Sequence, residues 1–166
     1  MTTIPINADF CLCGSGLQYS LCCGRYHNGD AIPPTAESLL RSRFTAYAQR
    51  NAAYLLASWD KTKRPAEIDF TQETAEWQKL QILSIKKGAA RDSKGLIDFK
   101  AFYQQDGEAY FMHEISRFSK IGQHWFYLDG VIKAVGKVSS ATNLGKNAAC
   151  GCGSGKKFKR CCGANV

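Results

Sequence analysis

The chain places its eight cysteines in two copies of one spacing, C-x-C-x8-C-C. The first copy consists of Cys11, Cys13, Cys22 and Cys23. The second copy lies 139 positions later and consists of Cys150, Cys152, Cys161 and Cys162. Four thiolates suit a tetrahedral metal ion and close its coordination shell. The spacing therefore predicts two small structural metal sites, one near each end of the chain.

The two copies also share a Gly-Ser-Gly segment after the second cysteine. Glycine reaches positive φ at low cost, so the chain can turn sharply and aim backbone N–H groups at sulfur. We predict that Ser15 or Ser154 caps a helical turn that carries the last two cysteines. Tyr19 and Phe158 occupy equivalent positions, where we expect packing over the metal. Stacking on nucleic-acid bases is the alternative.

Whether these cysteines bind a metal ion or form disulfides depends on the cellular compartment of the protein. The first ten residues show neither a basic start nor an apolar run, so no signal peptide is indicated. No segment is long enough to cross a membrane. We expect a protein of the reducing cytoplasm, where disulfides, the competing interpretation, are rare. Zinc is expected, two ions per chain, and iron has the same ligand chemistry in such a site. His27 is an alternative ligand that a complete set of four cysteines does not require.

The motif C-x-C-G-S-G, followed by a paired ligand, resembles the SEC-C motif of the SecA translocation ATPase. There the last pair is usually Cys-His, whereas this chain has Cys-Cys. Two such motifs flanking a middle domain resemble the YchJ-like family. Glu114-x-Ser116-x-Phe118 and Trp125-Phe126-Tyr127-x-Asp129-Gly130 carry the resemblance in the middle. The resemblance implies a nuclear-transport-factor-2-like, or cystatin-like, α+β cone. It implies no established activity.

Basic residues concentrate at the C-terminal end. The chain has a net charge of +8, and no acidic residue follows Asp129. The second copy contains the segment Lys156, Lys157, Phe158, Lys159 and Arg160. A basic segment with one aromatic residue is compatible with RNA, the ribosome or an acidic protein. Because the SecA motif that it resembles binds protein partners, we expect this segment to bind a protein.

Helices are predicted in the first half of the middle domain. Thr35 is an expected N-cap, and Leu40, Phe44 and Tyr47 form an apolar stripe at helical spacing. A second short helix begins at Asn51. A third is predicted over 71–78, with Phe70 as a hydrophobic staple.

Strands are predicted over 80–87, 96–105, 108–118 and 123–131, with a hairpin turn at Asp106-Gly107. Ile97, Phe99, Ala101 and Tyr103 form one expected face of the second strand. Ala109, Phe111, His113 and Ile115 are assigned to the matching face of the third. Helices followed by an antiparallel meander indicate an α+β fold with helices packed on one face of the sheet.

The predicted organisation has four parts. They are an N-terminal metal knuckle at 1–30, an α+β cone at 35–133, a flexible linker at 134–149 and a basic C-terminal knuckle at 150–166.

Three functions remain open. The favoured one is a non-enzymatic metal-binding module that recognises a protein partner. The second is an enzyme or small-molecule binder with a pocket around His113, Tyr103 and Tyr127, although a hydrogen-bonded core histidine is the simpler interpretation of His113. Asp98 is expected on the opposite face and is a poor partner for this histidine. The third is a redox responder that loses metal when its cysteines are oxidised.

Overall fold

The computed structural model describes residues 10–138, 156–157 and 160. The chain divides into two compact units, Met1–Gly136 and Lys137–Val166. The helical elements are a 3-10 turn at Tyr19–Leu21, α1 at Cys23–His27, α2 at Ala36–Ala48 and α3 at Ala52–Ala57. The strands are β1 at Glu76–Lys87, β2 at Lys94–Gln105, β3 at Glu108–Ile121 and β4 at His124–Lys137.

Helix α2 begins where its N-cap was predicted. The Thr35 side chain accepts a hydrogen bond from the Ser38 backbone N–H, and the Ser38 side chain accepts one from the Thr35 N–H. This reciprocal pair satisfies two donors that a helix start leaves unpaired. Leu40 and Phe44 on the predicted stripe are both 5% exposed. Asn51 caps α3 through its side-chain oxygen, which accepts a hydrogen bond from the Tyr54 N–H.

The four strands form one antiparallel sheet in the order β1-β2-β3-β4. The hairpin between β2 and β3 turns at Asp106 and Gly107, with φ of 52° and 77°. Positive φ at both central residues defines the turn whose twist matches paired strands. The predicted hairpin and the α+β fold are confirmed. No helix in the described part of the chain has the length and apolarity to cross a bilayer.

The third predicted helix is wrong. Residues 71–75 form a turn and an extended segment, and β1 begins at Glu76. Trp77 pairs with Tyr103 across the β1–β2 ladder and packs edge-on against Phe44. These contacts outside the segment outweigh its local preference. Phe70 is not a staple but contacts the Tyr47 ring.

The predicted inner face of β3 is also wrong. In the observed register Gln105 pairs with Glu108, so odd-numbered residues of β2 lie opposite even-numbered residues of β3. Ile97 therefore faces Ser116, and Phe99 faces Glu114. A two-residue hairpin loop determines this parity, and a slip of one residue would turn every side chain to the other face. The predicted turn at Asp106-Gly107 already implies this pairing and therefore the correct inner face of β3.

The main core lies between α2 and the inner face of the sheet, which is the face of β2 that carries Ile97, Phe99 and Ala101. Phe118 and Trp125 complete this core from β3 and β4, and the Trp125 indole N–H donates to the Pro34 carbonyl. Strand β4 continues to Lys137. Residues 134–137, the start of the predicted linker, are therefore strand, and 139–149 lie outside the described residues.

Candidate metal centre

The four cysteine sulfurs of the first copy converge on one point. All four lie within 4.8 Å of one another. The Cys22 sulfur is 3.5 Å from that of Cys13 and 3.9 Å from that of Cys23. A tetrahedral ion with metal–sulfur bonds of about 2.3 Å requires sulfurs about 3.8 Å apart. The geometry therefore fits a metal ion with four cysteine ligands.

The backbone brings these residues together through a closed loop and a short helix. The loop is closed by the bridge between Phe10 and Gln18 and by the Cys11 N–H, which donates to the Leu17 carbonyl. Gly14 and Gly16 have φ of 82° and 77°, as the Gly-Ser-Gly segment predicted. The loop thereby presents Cys11 and Cys13 to the two cysteines that follow the 3-10 turn.

Ser15 does not cap a helix, contrary to the prediction. Cys22 occupies the N-cap position of α1 without a side-chain cap, and Cys23 begins the helix. The Ser15 hydroxyl instead lies 3.1 Å from the Cys22 sulfur and accepts the Leu17 N–H. It is placed to donate to a metal-bound thiolate, which makes it a neighbour of the ligand shell.

The cluster is shielded from solvent. Cys11, Cys13 and Cys23 are 5%, 0% and 1% exposed, and Tyr19 packs against them as predicted. His27 is not a ligand, because its ring nitrogens contact the Tyr19 hydroxyl and the Ser42 carbonyl, each at 2.8 Å. A buried site with four cysteine ligands is typical of structural metal sites.

Helix α2 contributes two side chains that contact the cysteines, and the sequence analysis predicted neither of them. The Thr45 hydroxyl lies 3.6 Å from the Cys11 sulfur and 3.5 Å from the Cys23 sulfur. Arg41 donates to the carbonyl of Cys13. These contacts orient the ligands and connect the knuckle to the α+β domain.

The thiols interact strongly with one another. Hydrogen bonds from Cys13 and Cys23 lower the pKa of Cys11, while the hydrogen bond to Cys11 raises the pKa of Cys23. Burial adds to the rise at Cys23. So close a set cannot carry four negative charges without a compensating cation, and a divalent metal ion would supply that charge.

The second cysteine set lies outside the described residues, as do Phe158 and Lys159. Lys156, Lys157 and Arg160 are described, and all three are exposed.

The predicted pocket around His113 is wrong. His113 lies on the outer face of the sheet, where its Nε2 is 2.6 Å from Oδ1 of Asp98, the residue judged a poor partner. Both side chains point outward because of the register described above. Tyr103 packs between Trp77 and Tyr110, with ring centroids 4.8 and 5.5 Å away. Tyr127 does line a cavity, but a different one.

That cavity lies between α2 and the inner face of the sheet and has a volume of about 210 Å³. Its walls are largely apolar and aromatic, and two charged residues, Arg43 and Glu114, also line it. The sequence analysis missed Arg43. Its position beside Phe44, three residues after Leu40, was an available signal, because it places a charge on the buried face of a helix.

Comparisons with known proteins agree with this architecture. A family model described as the YchJ middle NTF2-like domain matches residues 35–130. The SEC-C motif model matches residues 9–25 and 147–164. A UPF0225 protein of Serratia proteamaculans is 41% identical over 162 residues, which cover 93% of this chain and 98% of the relative. One of Photorhabdus laumondii is 38% identical over 161 residues, covering 93% and 99%.

Two solved structures have a similar fold. The solution structure of a SEC-C motif containing protein from Rhodopseudomonas palustris has a TM-score of 0.65 and 28% identity, and the match covers 73% of this chain and 96% of that one. The crystal structure of a SEC-C motif containing protein from Psychrobacter arcticus has a TM-score of 0.63 and 24% identity, with 98% and 100% covered. The chain therefore belongs to the YchJ-like family of UPF0225 proteins, with SEC-C motifs on both sides of an NTF2-like middle domain.

Proposed function

We propose that this protein is a non-enzymatic zinc protein of the reducing cytoplasm, in which each SEC-C motif holds one structural zinc ion. The main support is the convergence of four sulfurs within 4.8 Å of one another, from three buried cysteines and the half-buried Cys22. Zinc would supply the charge that neutralises the thiolates and the bonds that stabilise a unit with little core of its own. Four cysteine ligands leave no position for a catalytic water.

Metal analysis of the purified protein tests the first part. We expect two zinc equivalents per chain from protein prepared without added metal. Replacing Cys11 and Cys13 by serine should remove one equivalent, and replacing Cys150 and Cys152 should remove the other. Each double variant is the control for its counterpart. Metal-free protein with its thiols paired as disulfides would contradict the proposal, and bound iron would contradict zinc.

We further propose that the basic C-terminal knuckle binds an acidic surface of a protein partner. The support is the absence of acidic residues after Asp129 and the exposure of Lys156, Lys157 and Arg160. Exposed cations attract an acidic surface over about 10 Å at moderate ionic strength. The N-terminal knuckle has no such basic segment and instead packs on α2.

Charge reversal tests the second part. A photo-crosslinker close to the C-terminal knuckle should capture a protein in lysate of the source cells, and the crosslink should weaken with added salt. Replacing Lys156, Lys157 and Arg160 by glutamate should abolish it. The matched control is the same replacement at Lys61, Lys63 and Arg64, a second exposed basic cluster. A crosslink that persists in the first variant, or that ribonuclease removes, would contradict protein recognition.

A further inference from the structure

A buried cation, Arg43, lines the cavity between α2 and the sheet, and among the described residues no carboxylate forms an ion pair with it. Arg43 is 3% exposed. Its Nη1 donates to the Leu55 carbonyl and to the Ser58 hydroxyl, both at 2.7 Å. Its guanidinium lies 4.5 Å from the centroid of the Tyr127 ring. Among the described residues, no carboxylate lies within 4.0 Å of this guanidinium.

Burial of an unpaired cation is unfavourable. The bonds of Nη1 and the stacked rings offset part of this free energy, but a positive charge remains beside the cavity that Arg43 lines. Desolvation accordingly lowers the pKa of Arg43, although arginine stays protonated in proteins. Glu114 in the same cavity attracts Arg43 through space, but no ion pair joins the two, so an anionic group that entered the cavity would supply the direct contact.

Glu114 lines the same cavity and is held in one position. Its Oε1 accepts from the Ser116 hydroxyl at 2.7 Å and from the Tyr127 hydroxyl at 3.1 Å. A Cβ at Gly130 would lie 2.0 Å from this Oε1, so glycine leaves room for the carboxylate. The family resemblance in the middle domain rests on two segments, Glu114-x-Ser116-x-Phe118 and Trp125-Phe126-Tyr127-x-Asp129-Gly130. These two segments meet at the Glu114 carboxylate. Among the described residues, none donates to Oε2.

We propose that this cavity binds a small carboxylic acid that has an apolar body and an amine or hydroxyl group beside its carboxylate. Arg43 would bind the carboxylate, and Oε2 of Glu114 would accept from the amine or hydroxyl. Glu114 repels an acid without such a donor, and Arg43 repels a simple amine. Aromatic and aliphatic side chains provide the rest of the wall: Leu40, Phe44, Trp77, Phe99 and Met112. A volume of about 210 Å³ is below the roughly 300–1,000 Å³ of drug-sized pockets, so the ligand is a small metabolite.

Methionine-methyl NMR of the intact protein tests the proposal. The chain has two methionines, so Met112 in the cavity wall reports binding and Met1 is an internal reference. Four probes share one apolar body: leucine, leucic acid, isocaproate and isoamylamine. We expect leucine, leucic acid or both to shift the Met112 signal saturably. Isocaproate and isoamylamine, which each lack one polar group, should bind at least about tenfold more weakly.

Variants separate this site from nonspecific binding. Glu114→Gln keeps the acceptor for Ser116 and Tyr127 but removes the charge, so it should lose about tenfold in affinity for the preferred probe and gain affinity for isocaproate. The control variant is His113→Gln, on the outer face of the sheet. It should change neither the affinity for the preferred probe nor that for isocaproate. A Met112 signal that none of the four probes shifts, or that all four shift alike, would overturn the proposal. An unchanged probe preference in Glu114→Gln would also overturn it.

Discussion

The Thr45 hydroxyl connects the two parts of the described fold. It contacts two of the four cysteine sulfurs, at 3.6 and 3.5 Å, from the buried side of α2. Its single proton can be donated to the Cys23 sulfur or to the Arg41 carbonyl, which lies 3.1 Å away. A hydrogen bond to thiolate sulfur stabilises the charged ligand and fixes its orientation. In a four-cysteine site that carries net negative charge, such donors raise metal affinity.

Thr45→Val should weaken metal binding at the N-terminal site by about 10–100-fold, because the substitution keeps the shape and removes the hydroxyl. The measurement is competition with a chromophoric chelator, in a background that lacks Cys150 and Cys152 so that one site is observed. Thr45→Ser, which keeps the hydroxyl, is the matched control. Equal affinities in the valine and serine variants would show that the hydroxyl does not support the metal.

At the scale of elements, α2 organises both the metal centre and the cavity. Its first residue, Ala36, lies against the end of the β1–β2 hairpin, where its N–H donates to the Gly88 carbonyl at 2.9 Å. A Cβ added at Gly95 would lie 2.9 Å from the Ala36 Cβ. This close approach positions the helix over the sheet, and with it Arg43 and Thr45.

Gly95→Ala should therefore lower the free energy of unfolding by about 1–3 kcal/mol, because it overpacks the contact between helix and sheet. Urea denaturation followed by tryptophan fluorescence measures this value. A double variant that combines Gly95→Ala with Ala36→Gly lacks the facing methyl group of Ala36. The double variant should be more stable than the sum of the two single effects predicts. If the two substitutions change the free energy of unfolding in a strictly additive way, the proposed contact is contradicted.

At the scale of the molecule, the described residues contain two separate cores. The metal centre has its own cluster of Cys11, Cys13 and Cys23, and no cysteine belongs to the core between α2 and the sheet. A domain of roughly 100 residues can bury a sufficient core by itself, whereas the knuckle would depend on the proposed metal ion. The two parts should therefore differ in their response to metal loss.

Chelation of the metal should expose the knuckle and leave the sheet folded. Hydrogen exchange monitored by mass spectrometry should show fast exchange over residues 11–27 and retained protection in β2 and β3. The untreated protein is the reference, and re-addition of zinc should restore protection over residues 11–27. Loss of protection in β2 and β3 to the same extent would show that the two cores unfold as one.

Much of the fold followed from local patterns. The cap at Thr35, the stripe through Leu40 and Phe44 and the turn at Asp106 each depend on neighbours along the chain, and all are confirmed. The two errors have different causes, one in distant contacts and one in the register of a hairpin. A helix is predicted over residues 71–78, yet Trp77 is held in a strand by Tyr103 and Phe44. His113 lies on the outer face, contrary to the prediction, because the register imposed by the two-residue turn continues along β3.

The sequence by itself determined the ligand set, because four cysteines within thirteen residues can reach one ion through a short loop whatever the rest of the chain does. It also determined the α+β class, since periodicity and turn residues act over a few positions. Only the tertiary structure decided which polar groups meet. Arg43 and Glu114 come from a helix and a strand far apart in sequence, and they share one cavity because α2 packs across the sheet. The contact of Thr45 with two cysteine sulfurs has the same origin.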